Sequence, residues 1–185
     1  MNKTNILDQI SLLDKPYIIY RSKKGFCLYT DFSKKIILTK KNITSFLKKT
    51  NQKQLKLKKT DLYVGFFGYE ILNDLINVKI PKQKKTNFPK GIFYKPDKII
   101  NLSENLKYQP EKSSKIDAKF KINIDRKNYT KIFNKFKNKI KKGETYQIKI
   151  CTKYRNKSKI DPLDYFCRLT KTNLAPEAFL IKDKE

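Results

Sequence analysis

The first half of the chain is a series of short apolar runs, which is a pattern typical of β-strands. Runs rich in β-branched and aromatic residues cover Pro16–Arg21, Gly25–Asp31 and Lys34–Thr39, with short polar segments between them. This order predicts an antiparallel meander of three strands. Leu62–Phe67 predicts a buried strand, and Ile92–Leu102 predicts two more short strands.

Two short helices are expected within this strand-rich half. Asn42 is an expected helix cap, and Ile43, Phe46 and Leu47 follow it at i, i+3 and i+4. This spacing predicts a short amphipathic helix whose apolar stripe packs on the meander. A second helix is expected over Glu70–Asn77.

The clearest helical pattern lies in the second half of the chain. Asp125 can cap its start, and Gly143 stands where a left-handed residue often ends a helix. The apolar positions between them recur at helical spacing: Tyr129, Ile132, Phe133, Phe136 and Ile140. We expect Phe133, Phe136 and Ile140 to face the core.

Three further elements are expected after this helix. Tyr146–Ile150 alternates apolar and polar residues, which predicts a strand with one buried face. Asp161 and Pro162 have the residue types of a helix cap and a first helical position, and that helix should end near Asn173. A last apolar run over residues 177–182 predicts a final strand.

These elements predict an α+β fold of mixed antiparallel sheets with flanking helices. Ser103–Asp117 is polar, contains Pro110, and is the best linker candidate. We therefore expect one domain over residues 1–115 and a second, truncated domain over residues 116–185.

The composition indicates a globular chain in a reducing compartment. Of 185 residues, 38% are hydrophobic, yet no run approaches the ~18 apolar residues of a membrane helix. The start lacks the basic-then-apolar order of a signal peptide. Cys27, Cys151 and Cys167 have no metal-binding spacing, and the chain has no histidine. We expect reduced thiols, a cytoplasmic location and no membrane partner.

The net charge of +27 raises the alternative of a noncatalytic module that binds polyanions. However, only four of the 44 basic residues are arginine, and the bidentate arginine fork is best suited to phosphates and base edges. The lysines are also spread along the whole chain. This distribution favours a generally basic surface and predicts no specific nucleic-acid partner.

Two ordered segments resemble a known enzyme family. The second half resembles the start of the chorismate-binding domain in component I of anthranilate synthase and aminodeoxychorismate synthase. The matching positions are Gly143, Glu144, Tyr146, Gln147, Asp161, Pro162, Leu169, Asn173, Ala175 and Pro176. Gly65, Gly68 and Tyr69 are similar to an earlier glycine-rich segment of the same family. The resemblance extends over essentially the whole chain.

The resemblance implies a function and its partners. The chain would be the N-terminal domain, plus the first elements of the chorismate-binding domain, of a chorismate-aminating synthase. Aminodeoxychorismate synthase is favoured over anthranilate synthase because Ala178 stands where the latter has methionine. The complete enzyme would use chorismate, Mg²⁺ and ammonia from a glutamine amidotransferase subunit. Its Mg²⁺ ligands and acid/base groups would lie beyond the equivalent of Glu185. We therefore expect this chain to bind no Mg²⁺, to carry no catalytic residue and to be inactive alone.

The resemblance also implies an amino-acid pocket of the kind that binds tryptophan. Its equivalents here are Ser22, Pro176, Glu177 and Ala178. Arg21 stands where the family has glutamate, and Glu177 where it has tyrosine, which argues against feedback inhibition. The alternative for Ser22 is a hairpin residue that bonds its own backbone.

Overall fold

The computed structural model describes residues 15–50, 62–76, 88–102, 108, 119–173 and 175–184. Residues 1–109 and 166–185 form one compact unit, and residues 110–165 form another. The strands are β1 (Tyr17–Ser22), β2 (Gly25–Ile37), β3 (Val64–Phe67), β4 (Gly91–Leu102), β5 (Lys121–Ile122), β6 (Tyr154–Arg155) and β7 (Ala178–Lys182). The helices are α1 (Ile43–Thr50), α2 (Leu72–Leu75), α3 (Arg126–Lys141) and α4 (Pro162–Thr172), with a 3₁₀ turn at Tyr69–Ile71.

The first unit is organised around a five-stranded antiparallel sheet in the order β3-β4-β2-β1-β7. The last strand of the described chain therefore pairs with the first. Ile18 and Ile19 of β1 have no exposed surface. The sheet and its flanking helices confirm the predicted α+β class.

The expected three-strand meander is wrong, because its second and third runs form one continuous strand. β2 contains 13 residues and forms a hairpin with β1 through the turn between Ser22 and Gly25. The apolar pattern is interrupted at Phe32 and Ser33 by a β-bulge, across which the pairing with β4 shifts by one residue. Asp31, just before the bulge, has a left-handed φ of 53°. An extra residue bends a strand without ending it.

The two short strands expected at residues 92–102 are likewise one strand, β4. Pro96, near the middle of this strand, pairs with Phe32 at the bulge of β2. A proline lacks the N–H that a regular ladder needs, so a strand tolerates proline where the pairing is irregular. The ring of Phe32 lies 4.7 Å from that of Tyr94, measured between centroids.

Helix α1 forms where its spacing predicts and packs on the sheet. Phe46 lies against Phe93 of β4, with ring centroids 4.9 Å apart. The buried residues of this cluster are Leu38, Ile43, Phe46, Ile71 and Phe93. Asn42 does not cap the helix with its side chain as expected. Its Oδ1 accepts from the N–H of Thr39 at 2.8 Å, so the amide closes the turn before the helix.

Strand β3 is half-exposed rather than buried, although its position is as predicted. It approaches β4 closely at Gly65, where an added Cβ would lie 1.9 Å from the carbonyl oxygen of Ile92. Only glycine fits such an approach without a backbone shift. The expected helix at residues 70–77 is a 3₁₀ turn followed by the one-turn α2, and Asn77 lies outside the described residues.

Helix α3 of the second unit has the predicted ends but not the predicted burial. Asp125 accepts from the N–H of Asn128 at 2.7 Å, and Gly143 has a φ of +72°. No residue of the helix is buried, and the side chain of Phe133 is 47% exposed. The expectation that Phe133, Phe136 and Ile140 face the core is therefore wrong within the described residues.

The strand expected at Tyr146–Ile150 is also absent from the structure. These residues have no regular secondary structure, and Tyr146 is 90% exposed. Alternation alone does not form a strand, because each residue also needs a partner across a ladder. The strand pairing of this unit among the described residues is the two-residue ribbon of β5 and β6.

Helix α4 and strand β7 confirm the last two expected elements. Asp161 caps α4 by accepting from the N–H groups of Leu163 at 2.8 Å and Asp164 at 3.1 Å. Pro162 is the first helical residue, where its missing N–H removes no helical bond. The expected linker lies almost wholly outside the described residues, and the domain boundary after residue 115 stays a prediction.

A core position in α1 and an exposed position in α3 give a matched test of these assignments. We expect Ile43→Ala to lower the free energy of unfolding by about 2–5 kcal/mol, because Ile43 is 1% exposed and truncation leaves a cavity. The same change at Ile140, which is 42% exposed, should cost less than about 1 kcal/mol. Urea unfolding of both variants measures the difference, and equal losses would contradict the exposed α3 face.

Candidate functional site

The predicted pocket residues lie at one end of the β1–β7 pair. The antiparallel register places Ala178 opposite Arg21, the neighbour of Ser22 in β1. Pro176 and Glu177 precede β7 and are exposed. The fold therefore brings together two segments that are more than 150 residues apart in the sequence.

The hydroxyl of Ser22 takes part in the β1–β2 turn. Its Oγ accepts from the N–H of Lys24 at 3.1 Å and lies 3.4 Å from the carbonyl oxygen of Gly25, to which it donates. These contacts are those of a hairpin residue that bonds its own backbone.

Glu177 is linked to β1 through Tyr20. Burial raises the pKa of the Tyr20 hydroxyl, and a hydrogen bond to the negative Glu177 carboxylate raises it further. The hydroxyl therefore stays protonated at neutral pH and donates to Glu177. Tyr20 pairs across the strands with Phe179 of β7.

Tyr20 and Phe179 lead to a cavity of about 260 Å³ beside the sheet. Cross-strand pairing places Ile18, Ile181 and Tyr29 together on its wall. The remaining lining residues are Leu62, Tyr63, Val64, Gly65 and Phe93. None of these side chains carries a charge at neutral pH, so the cavity is apolar with a few phenol groups. Such a surface suits an aromatic ring.

Tyr29 resembles Tyr20 in its protonation. Burial raises the pKa of Tyr29, with smaller contributions from the neighbouring Cys27 and Tyr20. Both phenols can therefore donate hydrogen bonds without carrying charge at neutral pH. The negative charge near the cavity comes from Glu177 at its rim.

Arg21 serves the helix α4 rather than the cavity. Its Nη1 donates to the carbonyl oxygen of Thr170 at 2.9 Å and to that of Asn173 at 3.3 Å. The guanidinium also lies over the ring of Phe26, 5.8 Å from its centroid. The last carbonyls of a helix are unsatisfied and carry partial negative charge, so a cation is favourable there. This explains how an arginine is accommodated beside Ser22.

A second polar network holds the far end of β7. Burial opposes ionisation of Asp183, but hydrogen bonds from Lys35, Tyr94 and the backbone of Lys184 outweigh it and lower the pKa of the carboxyl. The Nζ of Lys35 lies 2.7 Å from Oδ2 of Asp183. Polar contacts therefore flank β7 at both ends, and these contacts position Phe179 and Ile181.

The described residues do not fit the Mg²⁺ that the resemblance implies. Among them, no three histidine, cysteine or acidic side chains lie close enough together to hold a metal ion. Mg²⁺ requires oxygen ligands in a near-octahedral arrangement. The acidic groups described above have other partners: Asp161 caps α4, and Asp183 pairs with Lys35.

None of the ten described residues that line the cavity was singled out as a site residue in the sequence, and Tyr29, Phe179 and Ile181 are among them. Their signal is present as alternation, because Phe179 and Ile181 are two positions apart in one strand. However, the sequence of this strand does not show that it pairs with β1, and this pairing is what places the two side chains on the cavity wall. The segment Pro176–Ala178 does not line the cavity but borders it through Glu177 and the following Phe179.

The geometry defines an α+β protein with a small apolar cavity beside its antiparallel sheet. A family model described as chorismate binding enzyme matches residues 14–185. The chain belongs to this family of chorismate-binding enzymes. No curated protein sequence matches it. In the part of the chain that the structure describes, none of the helices is both long enough and apolar enough to cross a membrane.

The Asp183 network gives an expected pH dependence. Because the folded pKa of Asp183 is depressed, its ion pair stabilises the fold above the ordinary carboxyl value of 3.8. That contribution is lost as the pH falls through the lower folded value. Between about pH 6 and pH 3, the Asp183→Asn variant should therefore lose less unfolding free energy than the wild type.

Asp31 provides the control for this experiment. Its carboxylate lies 3.9 Å from Lys15, and its side chain is 48% exposed, so the pair should contribute little. Asp31→Asn should follow the wild-type pH dependence in urea unfolding. If Asp183→Asn loses as much unfolding free energy over this pH range as the wild type does, the Asp183 network does not contribute to the pH dependence.

Proposed function

We propose that the chain forms the N-terminal part of component I of a chorismate-aminating synthase. Aminodeoxychorismate synthase is favoured, with anthranilate synthase as the next candidate. The observation that carries the proposal is the family match over residues 14–185, which includes both segments of the sequence resemblance. The favoured branch rests on Ala178, where anthranilate synthases have methionine.

The proposed role is that of a scaffold and a ligand pocket rather than of the aminating centre. Amination of chorismate with Mg²⁺ requires several carboxylates aimed at one ion, and the described residues do not offer such a group. The proposal therefore assigns the reaction to residues other than those described here. A glutamine amidotransferase subunit is the proposed ammonia source for the complete enzyme.

The alternative of a noncatalytic polyanion-binding module has one supporting observation, the net charge of +27. The same charge is also explained by lysines spread over the whole chain. The family match favours the chorismate-related role.

Direct assay tests the catalytic part of the proposal. The folded chain, incubated with chorismate, MgCl₂ and ammonium, should form no aminodeoxychorismate and no anthranilate. Chromatography with fluorescence detection follows both products, and a cooperative urea transition shows that the sample is folded. Either product above the level of a heat-denatured sample would overturn the assignment.

We further propose that the cavity beside β1 and β7 is the amino-acid pocket expected from Ser22, Pro176, Glu177 and Ala178. An aromatic ring would lie among Tyr20, Tyr29 and Phe179, and the ligand's ammonium group would face the Glu177 carboxylate. The cavity volume of about 260 Å³ is close to the lower end of small-molecule sites, so one amino acid is a suitable size. The Arg21 guanidinium already donates to carbonyl groups of α4, so we do not assign it as a partner of the ligand's carboxylate.

Tryptophan fluorescence tests this pocket, since the chain contains no tryptophan and the ligand supplies the whole signal. L-tryptophan should bind, and Glu177→Gln should weaken it several-fold, about 1 kcal/mol for an exposed charge pair. Indole has the ring without the ammonium group, so its affinity should change less than about twofold. Equal losses for the two ligands would contradict the role of Glu177, and no binding of either would contradict the pocket.

A further inference from the structure

The carboxylate of Asp183 lies just after the strand that supplies one wall of the cavity. Ile181, two residues earlier in the chain, lines the cavity and pairs with Ile18 of β1. The side chain of Asp183 is 20% exposed and accepts hydrogen bonds from Lys35 of β2 and Tyr94 of β4. Among the described strands, β7 pairs with β1 and with neither of these two. One carboxylate therefore ties the end of β7 to two further strands of the sheet.

Tyr94 connects this network to the layer of side chains that forms the cavity wall. Its side chain is 1% exposed and belongs to a cluster of four buried residues, Ile18, Tyr29, Ile92 and Tyr94. Ile18 and Tyr29 of this cluster also line the cavity. Ile181 packs against the same cluster. The ring of Tyr94 is therefore packed with cavity residues, while its hydroxyl bonds the carboxylate at the end of β7.

The Tyr94 ring is held from two sides. Phe32, at the bulge of β2, lies against it with 4.7 Å between the ring centroids. Lys35 is the cross-strand partner of Tyr94, and its Nζ lies 2.7 Å from Oδ2 of Asp183. Charge-assisted hydrogen bonds are stronger than neutral ones, and close-packed side chains transmit displacements to their neighbours. Loss of the carboxylate would therefore reach the cavity wall through this ring.

We propose that Lys35 and Asp183 are positioning residues for the ligand cavity, and that they act through Tyr94 without touching the ligand. The ion pair holds Ile181 and the Tyr94 ring in the arrangement that accepts an aromatic ring. This inference rests on the amino-acid pocket proposed above, and it adds two residues that determine affinity from outside that pocket. Their role differs from that of Glu177, which faces the ligand's ammonium group.

This difference gives the two kinds of residue different signatures. A displaced wall weakens the contact with the indole ring, which L-tryptophan and indole share. Lys35→Met and Asp183→Asn should therefore weaken the binding of both ligands equally, by about three- to tenfold, as for changes outside a binding site. Glu177→Gln should instead weaken the binding of L-tryptophan more than that of indole.

The hydroxyl of Tyr94 can be removed alone. Tyr94→Phe keeps the ring and its contact with Phe32, and it should weaken the binding of both ligands by about threefold. Members of one hydrogen-bond network do not act independently. Adding Tyr94→Phe to Asp183→Asn should therefore cause less than about a 1.5-fold further loss. Losses that multiply in the double variant would contradict a path through Tyr94.

Two control variants separate positioning from a general loss of stability. Leu28 is 1% exposed and lies on the opposite face of β2 from Tyr29, so Leu28→Val destabilises the same sheet without changing the network. Asp31→Asn removes a carboxylate whose distance to Lys15 is 3.9 Å. In both variants, the affinity of the folded protein for either ligand should stay within about twofold of the wild type.

Fluorescence titration at pH 7 with L-tryptophan and with indole measures each affinity, and urea unfolding shows that each sample is folded. Equal losses for the two ligands in Lys35→Met and Asp183→Asn, with both controls near the wild type, would support the proposal. If Asp183→Asn does not fold, Lys35→Met and Tyr94→Phe make the same test.

The results that would overturn the inference are distinct from those that would overturn the pocket. Wild-type affinity in Lys35→Met and Tyr94→Phe, or an equal loss in Leu28→Val, would remove the positioning role and leave the pocket in place. A loss confined to L-tryptophan would also contradict the inference, because it would place the ion pair beside the ligand's charged groups. If the wild-type chain binds neither ligand, the pocket and the inference fail together.

Discussion

The pairing of β7 with β1 is the constraint on which the first unit depends. It places Ile181 opposite Ile18 and Leu180 opposite Ile19, and both of these β1 residues are fully buried. The Arg21 guanidinium holds the helix that precedes β7, and the Asp183 carboxylate holds the residues that follow it. Without this pairing there would be no wall formed by Phe179 and Ile181, and Glu177 would not reach Tyr20. The same strand pairing therefore forms both the scaffold and one wall of the candidate pocket.

Features determined by a few neighbouring residues could be predicted from the sequence. The ends of α3 and α4 follow from Asp125, Gly143 and Asp161, because capping uses backbone groups within one turn of the capping residue. The family relationship was also accessible, since it resides in ordered short motifs. The α+β class followed from the change of period between the two halves of the chain. Asn42 was the exception among the caps, because its amide bonds Thr39 instead.

Features that depend on a distant partner could not be predicted. The bulge near Phe32 joins two expected strands because β4 supplies a partner on both sides of it, and no local signal separates a bulge from a turn. Tyr146–Ile150 alternates correctly but has no ladder, and the stripe of α3 has the right spacing but incomplete cover. Periodicity states which face of an element is apolar, whereas burial depends on what lies against that face. The cavity is a similar case, because its walls come from strands that meet only after folding.

The division of the first unit into two sequence segments has a consequence for its synthesis. β1 is made early, whereas β7 follows only after the whole second unit has been translated. At typical translation rates, the hairpin of β1 and β2 waits roughly 10–30 s for the strand that covers its edge. During that interval the ribosome-bound chain exposes a β-strand edge bordered by isoleucines, which is a template for pairing with other nascent chains. The abundant positive charge of the chain would then act as protection, since it keeps such intermediates apart until the sheet closes.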